Sequence, residues 1–240
     1  MNNPITSILR YQHKVRLLGL ARHLGGPRLL LRLAGWFYHL RVEGREHLPA
    51  QGAAIFVFNH VSPVADGLAY LLVQRLRPQI HLFDMYSLKD EISGLFGSLG
   101  VAEFGVQQLF VSKRQGLSAE GLLRARQILL QGGAVGIFPE GEYSWDGRTQ
   151  YPLAHGAAWL ALHTASPIIP VISRGGYDIQ PLWEIEKIRL TGRMSIHIGQ
   201  PFQLCPAPLE SISDQALQAA NERLWQTMAA LAVNNTRASV

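Results

Sequence analysis

Phe58-Asn59-His60-Val61-Ser62-Pro63-Val64-Ala65-Asp66 places a histidine and a carboxylate in a short turn directly after an apolar run. The run, Ala53 to Phe58 (AAIFVF), is uninterrupted and rich in β-branched and aromatic residues, the pattern of a strand buried on both faces. His60 then falls where the strand ends. Ser62 and Pro63 favour a turn, and Asp66 to Arg77 (DGLAYLLVQRLR) has the amphipathic spacing of a helix, with Asp66 in its first turn, where a carboxylate is favoured. A histidine at the carboxyl end of a strand with an acid a few residues on suits a general base and the group that orients it. On spacing alone, a helix-capping acid beside an unrelated loop histidine is the commoner arrangement.

The rest of the chain has a strand and helix alternation that gives this turn its setting. A short strand is expected near Leu40 to Val42, further strands at Ile80 to Phe83 and Ala134 to Phe138, and others at Ile168 to Ile172 and near Met194 to Ile198. Helices are expected over Leu88 to Leu99, over Ser118 to Gln131 with Ser118 as its cap, over Gly156 to Thr164, and from about Ser213 to Ala232. One or two short extended pieces fall within Val101 to Val111. This order predicts an α/β fold: a single layered domain with a mostly parallel central sheet flanked by helices. The stretch from Thr149 to Ser173 lacks Asp, Glu, Lys and Arg. Its prolines and histidines make it a buried helix, a turn and a buried strand, not a membrane span.

The 240 residues are 48% hydrophobic and only 16% charged, with a net charge of +5. So apolar a chain is expected to leave apolar surface exposed, as suits work against lipid, and the positive balance favours an anionic neighbour. Much of the charge lies at the amino end. Residues 1 to 42 carry Arg10, Lys14, Arg16, Arg22, Arg28, Arg32 and Arg41 and no acid. These alternate with leucines and aromatics around a break at Gly25-Gly26-Pro27, predicting a basic amphipathic helical hairpin. Residues 1–38 therefore read as membrane-associating helices and 39–240 as the catalytic domain. Such helices lie on anionic lipid or pack on a core with their arginines solvated, and the two readings are compatible on different faces. Leucine interleaved with arginine suits lipid better than stacked bases, so no nucleic acid partner is expected. Met1 to Lys14 lacks the apolar core of a secretory signal, and the single cysteine, Cys205, excludes an internal disulfide framework.

Two more polar points follow apolar strands. Phe138-Pro139-Glu140-Gly141 ends the run at 134–138, and Phe110-Val111-Ser112-Lys113-Arg114 ends an extended piece in two cations. Ligands of open α/β sheets collect at strand carboxyl ends, so His60 and Glu140 are expected to face one crevice. Lys113 and Arg114 would suit a phosphate or an acidic cofactor. Other chemistries lack their motifs. The nearest approach to a nucleophile elbow, Phe96-Gly97-Ser98-Leu99-Gly100, has phenylalanine at the first glycine position. There is no Gly-x4-Gly-Lys loop and no paired His or Cys spacing for a metal.

Taken in order, NHVSPVAD, FVSKR and FPEG, followed by Pro167-Ile168-Ile169-Pro170-Val171, resemble the signature of the lysophospholipid acyltransferases, glycerolipid acyltransferases of the 1-acyl-sn-glycerol-3-phosphate acyltransferase kind. The resemblance covers about residues 40 to 202. It implies that His60 is the general base and that Asp66 fixes its tautomer. It further implies that Glu140 and Gly141 line the acceptor site, and that Lys113 or Arg114 holds the acceptor's phosphate. The acyl donor would be acyl-CoA or acyl carrier protein as co-substrate, with no other cofactor, and the enzyme would work peripherally at the cytoplasmic face of a membrane. A catalytically degenerate membrane-binding protein of the same fold is the non-enzymatic alternative.

Three departures from the family pattern stand out. Five residues separate His60 from Asp66, where the family has four. Glu142-Tyr143-Ser144 stands where Thr-Arg-Ser is usual, and His155 precedes Gly156 where Lys or Arg is usual. The last two departures point toward a non-phosphorylated or unusual acceptor, with Arg148 as a compensating cation.

Overall fold

A computed structural model describes residues 26–86, 107–112, 117–181 and 188–233. The expected helix at 88–99, the cations Lys113 and Arg114, and the first of the two amino-terminal helices lie outside them. Helix α1 (Gly26–Phe37) comes first, then β1 (Arg41–Glu43), a 3-10 turn (Arg45–His47), β2 (Ala54–Phe58), α2 (Pro63–Leu76), β3 (Ile80–Tyr86) and β4 (Gln107–Ser112). The carboxyl half contains α3 (Leu117–Leu130), β5 (Ala134–Ile137), α4 (Gly156–Thr164), β6 (Ile168–Arg174), the short α5 (Gly176–Ile179), β7 (Ser195–Ile198) and α6 (Asp214–Val233).

The strands form one sheet in the order β1-β7-β6-β2-β5-β3-β4. β6, β2, β5, β3 and β4 run parallel, β7 is antiparallel to β6, and β1 is parallel to β7. The mostly parallel α/β layering expected from the sequence is therefore present, with a reversed edge. β2 is central, and all five of its residues are buried. Its side chains alternate between two cores. Phe56 and Phe58 pack with Ala65, Leu68, Ala69, Leu72 and Val73 of α2 and with Ala34 of α1. Ile55 and Val57 pack on the other face with Ala125 and Leu129 of α3, Ala157 and Leu160 of α4, and Leu224 and Met228 of α6. An uninterrupted apolar run is what a strand covered on both sides requires.

Two boundaries differ from the sequence reading. α2 begins at Pro63, not at Asp66: the Ser62 hydroxyl accepts the Ala65 N–H at 3.1 Å, and proline occupies the first helical position, where its missing N–H is no loss. α3 begins at Leu117, so Ser118 lies inside the helix instead of capping it. Next to β2, Gly136 is required by packing, because a Cβ there would meet the Phe58, Ile80 and Tyr70 side chains at 3.1 to 3.3 Å.

α1 uses both faces. Ala34 is buried in the core, whereas Trp36 is 73% exposed, with Leu33 and Phe37 beside it partly so. The chain leaving α1 is tied to the 192–194 segment by hydrogen bonds from Gly192 N–H to Phe37 O and from Met194 N–H to Tyr38 O. No helix among the described residues is long and apolar enough to cross a membrane.

Candidate active site

β2, β5 and β6 are parallel neighbours, so their carboxyl ends open onto one edge of the sheet. Asn59, the residue after β2, is buried and locks that end to β6: its amide donates to Ser173 O at 2.8 Å and accepts the Ser173 N–H at 2.7 Å. His60 follows. Its Nδ1 lies 2.6 Å from Asp66 Oδ2. The extra residue between them is absorbed because the chain turns at Ser62 and starts α2 at Pro63, which swings Asp66 in the first turn back toward the strand end.

Asp66 is almost wholly enclosed, while the His60 side chain keeps 18% of its surface open. Burial pushes the Asp66 carboxyl above its ordinary value, against the pull of the imidazole charge and hydrogen bond. With Nδ1 engaged by Asp66, Nε2 is the nitrogen left for a reacting hydroxyl. This is the geometry of an oriented base.

The loop after β5 packs directly on this histidine. The backbone N–H of His60 donates to Glu140 Oε1 at 3.0 Å, and its carbonyl accepts the Ser144 N–H at 2.7 Å. Glu140 Oε2 accepts the Gln150 N–H at 3.0 Å. Desolvation is the main cause that pushes the Glu140 carboxyl from an ordinary 4.5 to about 7. Gly141 turns the loop with a φ of 71°, in the left-handed region that glycine tolerates best. Tyr143 lies stacked on the imidazole, ring centroids 3.7 Å apart and planes inclined by 30°. Phe138 lies 4.5 Å from the imidazole, centroid to centroid, and 5.4 Å from Phe58.

The sequence-predicted residues therefore divide. His60, Asp66, Glu140 and Gly141 come together. Arg148 is on the same loop but points outward: its side chain is 86% exposed, with Nε 3.9 Å from Asp146 Oδ2. Gln150 folds under this turn, its side-chain amide donating to Ser144 Oγ, Asp146 Oδ1 and Arg148 O. Among the described residues no group of His, Cys, Asp and Glu is arranged to hold a metal ion.

Sequence reasoning missed Asn59 and Gly176. An amide directly after a buried strand was a usable signal for Asn59. Gly176 had none, because its neighbours come from a distant segment: a Cβ there would lie 2.3 Å from Ala65 Cβ and 2.8 Å from Ser62 Oγ. Tyr143 was visible only as a departure from a pattern, and its stacking on His60 is a product of the folded loop.

A mostly parallel sheet thus carries a hydrogen-bonded His–Asp pair at its carboxyl edge, with Glu140 and Tyr143 against it. The chain belongs to the acyltransferase family, whose model matches residues 39–174, more than half of its length and inclusive of both polar blocks. The protein is thus an acyltransferase. Among solved structures it is similar to the 1-acyl-sn-glycerophosphate (LPA) acyltransferase PlsC from Thermotoga maritima, with a TM-score of 0.57 and 18% identity over 96% of this chain and 83% of that one. At that identity the likeness establishes the shared fold. No curated protein matches the sequence significantly.

Proposed function

We propose that the protein transfers a fatty acyl chain from a thioester carrier, acyl-CoA or acyl carrier protein, to the hydroxyl of a lysophospholipid or similar lipid alcohol. The observation that carries this reading is the 2.6 Å contact between His60 Nδ1 and Asp66 Oδ2 at the open edge of the sheet. His60 Nε2 removes the hydroxyl proton as the oxygen attacks the thioester carbonyl, and Asp66 stabilises the imidazolium that forms. The tetrahedral oxyanion collapses, the carbon–sulfur bond breaks, and the departing thiolate takes the proton back. General-base assistance supplies roughly 10²- to 10⁴-fold, and positioning of two lipids supplies much of the remainder. The close His–Asp pairing favours this activity over a degenerate membrane-binding role.

A non-phosphorylated acceptor is the second reading, and Tyr143 favours it. An aromatic ring lies against the base at the position where a phosphate-binding cation is usual in the family, and Arg148 faces solvent. Lys113 and Arg114 follow β4 directly in sequence and remain the candidates for holding a phosphate.

The enzyme is proposed to act on a membrane surface, peripherally and from the cytoplasmic face. Exposed Trp36, Leu33 and Phe37 neighbour the segment carrying the 72% exposed Leu190, with exposed Arg32, Arg189 and Arg193 around them. Aromatic and aliphatic groups rimmed by arginine suit the interface of an anionic bilayer.

The deciding experiment incubates wild type and His60→Ala with radiolabelled acyl-CoA and a lipid extract, followed by identification of the labelled product. Wild type should label a lipid ester and the variant should not. Full activity in the variant would remove His60 as the base.

A further inference from the structure

Glu140 commits both of its carboxylate oxygens to the main chain: Oε1 to the N–H of His60 and Oε2 to the N–H of Gln150. We propose that Glu140 is a positioning residue for the transfer reaction, clamping the backbone of the base against the loop that carries Tyr143, and that it does not itself hold the acceptor. The proposal rests on the reading of His60 as the general base.

The clamp is two-sided. The amide of His60 is held by Glu140, and its carbonyl is held by the amide of Ser144. One residue thus has both of its peptide groups bonded to a single loop, and Tyr143, between those two anchors, is laid against the imidazole face. Asp66 fixes the ring from one edge through Nδ1. Together these contacts define where Nε2 points. A carboxylate is the side chain suited to the task, because its two oxygens accept from two amides on separate stretches of chain, whereas a glutamine would present an N–H to one of them. A misplacement of about 1 Å costs on the order of 10²-fold in rate, so a clamp of this kind acts on turnover.

The clamp also depends on ionisation. Glu140 is mostly buried and titrates near neutrality, and the charged groups that bear on it are His60, which favours the carboxylate, and Asp66, which opposes it. Once protonated, one oxygen becomes an O–H donor facing an amide donor, and that arm opens. Turnover should then fall on the acid side as the clamp takes up its proton.

The test uses the full-length enzyme and two readouts. The first is the proton resonance of the His60–Asp66 hydrogen bond, assigned by its absence in His60→Ala and followed by NMR between pH 5 and 9. In wild type it should shift in a step near pH 7. In Glu140→Gln, which keeps one acceptor, and in Glu140→Ala, which keeps none, the step should vanish and the resonance should broaden, more so in Glu140→Ala. A step that survives unchanged in both variants overturns the proposal. The second readout is steady-state transfer from labelled palmitoyl-CoA. Glu140→Gln should lower kcat about 10- to 100-fold with KM for the acceptor unchanged, whereas a raised KM at unchanged kcat makes Glu140 an acceptor ligand and overturns the clamp. Activity retained in His60→Ala refutes the general-base reading separately, since the NMR step tests the Glu140 contact without reference to turnover.

Discussion

His60 and Asp66 are joined by a 2.6 Å contact between Nδ1 and Oδ2 although six positions separate them in sequence. Only Val61 and Ser62 of that stretch are loop, and Pro63 to Asp66 are already the first turn of α2, which Ser62 caps and Pro63 begins. Helix capping therefore does the work of bringing an acid to a base. Asp66→Asn retains the size of the side chain and removes its charge, so the imidazole loses the partner that holds its tautomer and stabilises its protonated form. Transfer should fall on the order of 10²- to 10⁴-fold with the thermal midpoint little changed. Parallel kinetics and calorimetry check this, and an active Asp66→Asn enzyme would leave the pair a structural contact.

Gly176 touches the cap from the other side. A methyl group at this position would meet Ala65 Cβ at 2.3 Å and Ser62 Oγ at 2.8 Å, so α5 must move away from the amino end of α2. Overpacking of this kind costs about 1–3 kcal/mol. Gly176→Ala should lower stability by that amount in urea denaturation and should reduce kcat more than KM, because the displaced turn is the one that aims Asp66. Unchanged kinetics in a destabilised variant would show that the cap tolerates the shift.

The buried carboxyl of Glu140 predicts a pH dependence of stability whose sign follows from its raised value. With an ordinary value of 4.5 and a folded value of about 7, the native state binds more protons than the unfolded state between these limits. Stability contributed by this group therefore falls as pH rises from about 4.5 to about 7 and levels off above. Each pKa unit corresponds to about 1.4 kcal/mol, so the effect is on the order of a few kcal/mol. Chemical denaturation of wild type and Glu140→Gln at pH 5 and pH 8 measures it. Relative to the variant, wild type should lose ground at pH 8, and an equal difference at both pH values would contradict the burial argument.

Trp36 and Leu190 provide a test of the membrane surface that leaves the site untouched. Both are largely exposed, so replacing them with serine should not disturb the core. Sedimentation with vesicles containing anionic lipid should fall several-fold in the double variant, and binding by wild type should weaken as salt is raised. Equal sedimentation of the two proteins would move the docking surface elsewhere.

The sequence by itself determined the central strand, because AAIFVF reads as a strand covered on both faces, and it showed that polar groups directly follow β2 and β5, whereas their common edge comes from the parallel pairing of those strands. It also marked His60, Asp66, Glu140 and Gly141, since turn residues after apolar runs are read from local chemistry. The start of α2 was misplaced by three residues, because a proline among small residues reads as turn until a serine hydroxyl is seen to cap it. What only the tertiary structure decided are contacts between segments far apart in the chain: Asn59 with Ser173, Glu140 with the main chain of His60, Tyr143 on the imidazole, and Gly176 against the helix cap. Each depends on which strands lie side by side and how closely two loops approach. Periodicity and spacing report the faces of single elements and carry no information about either.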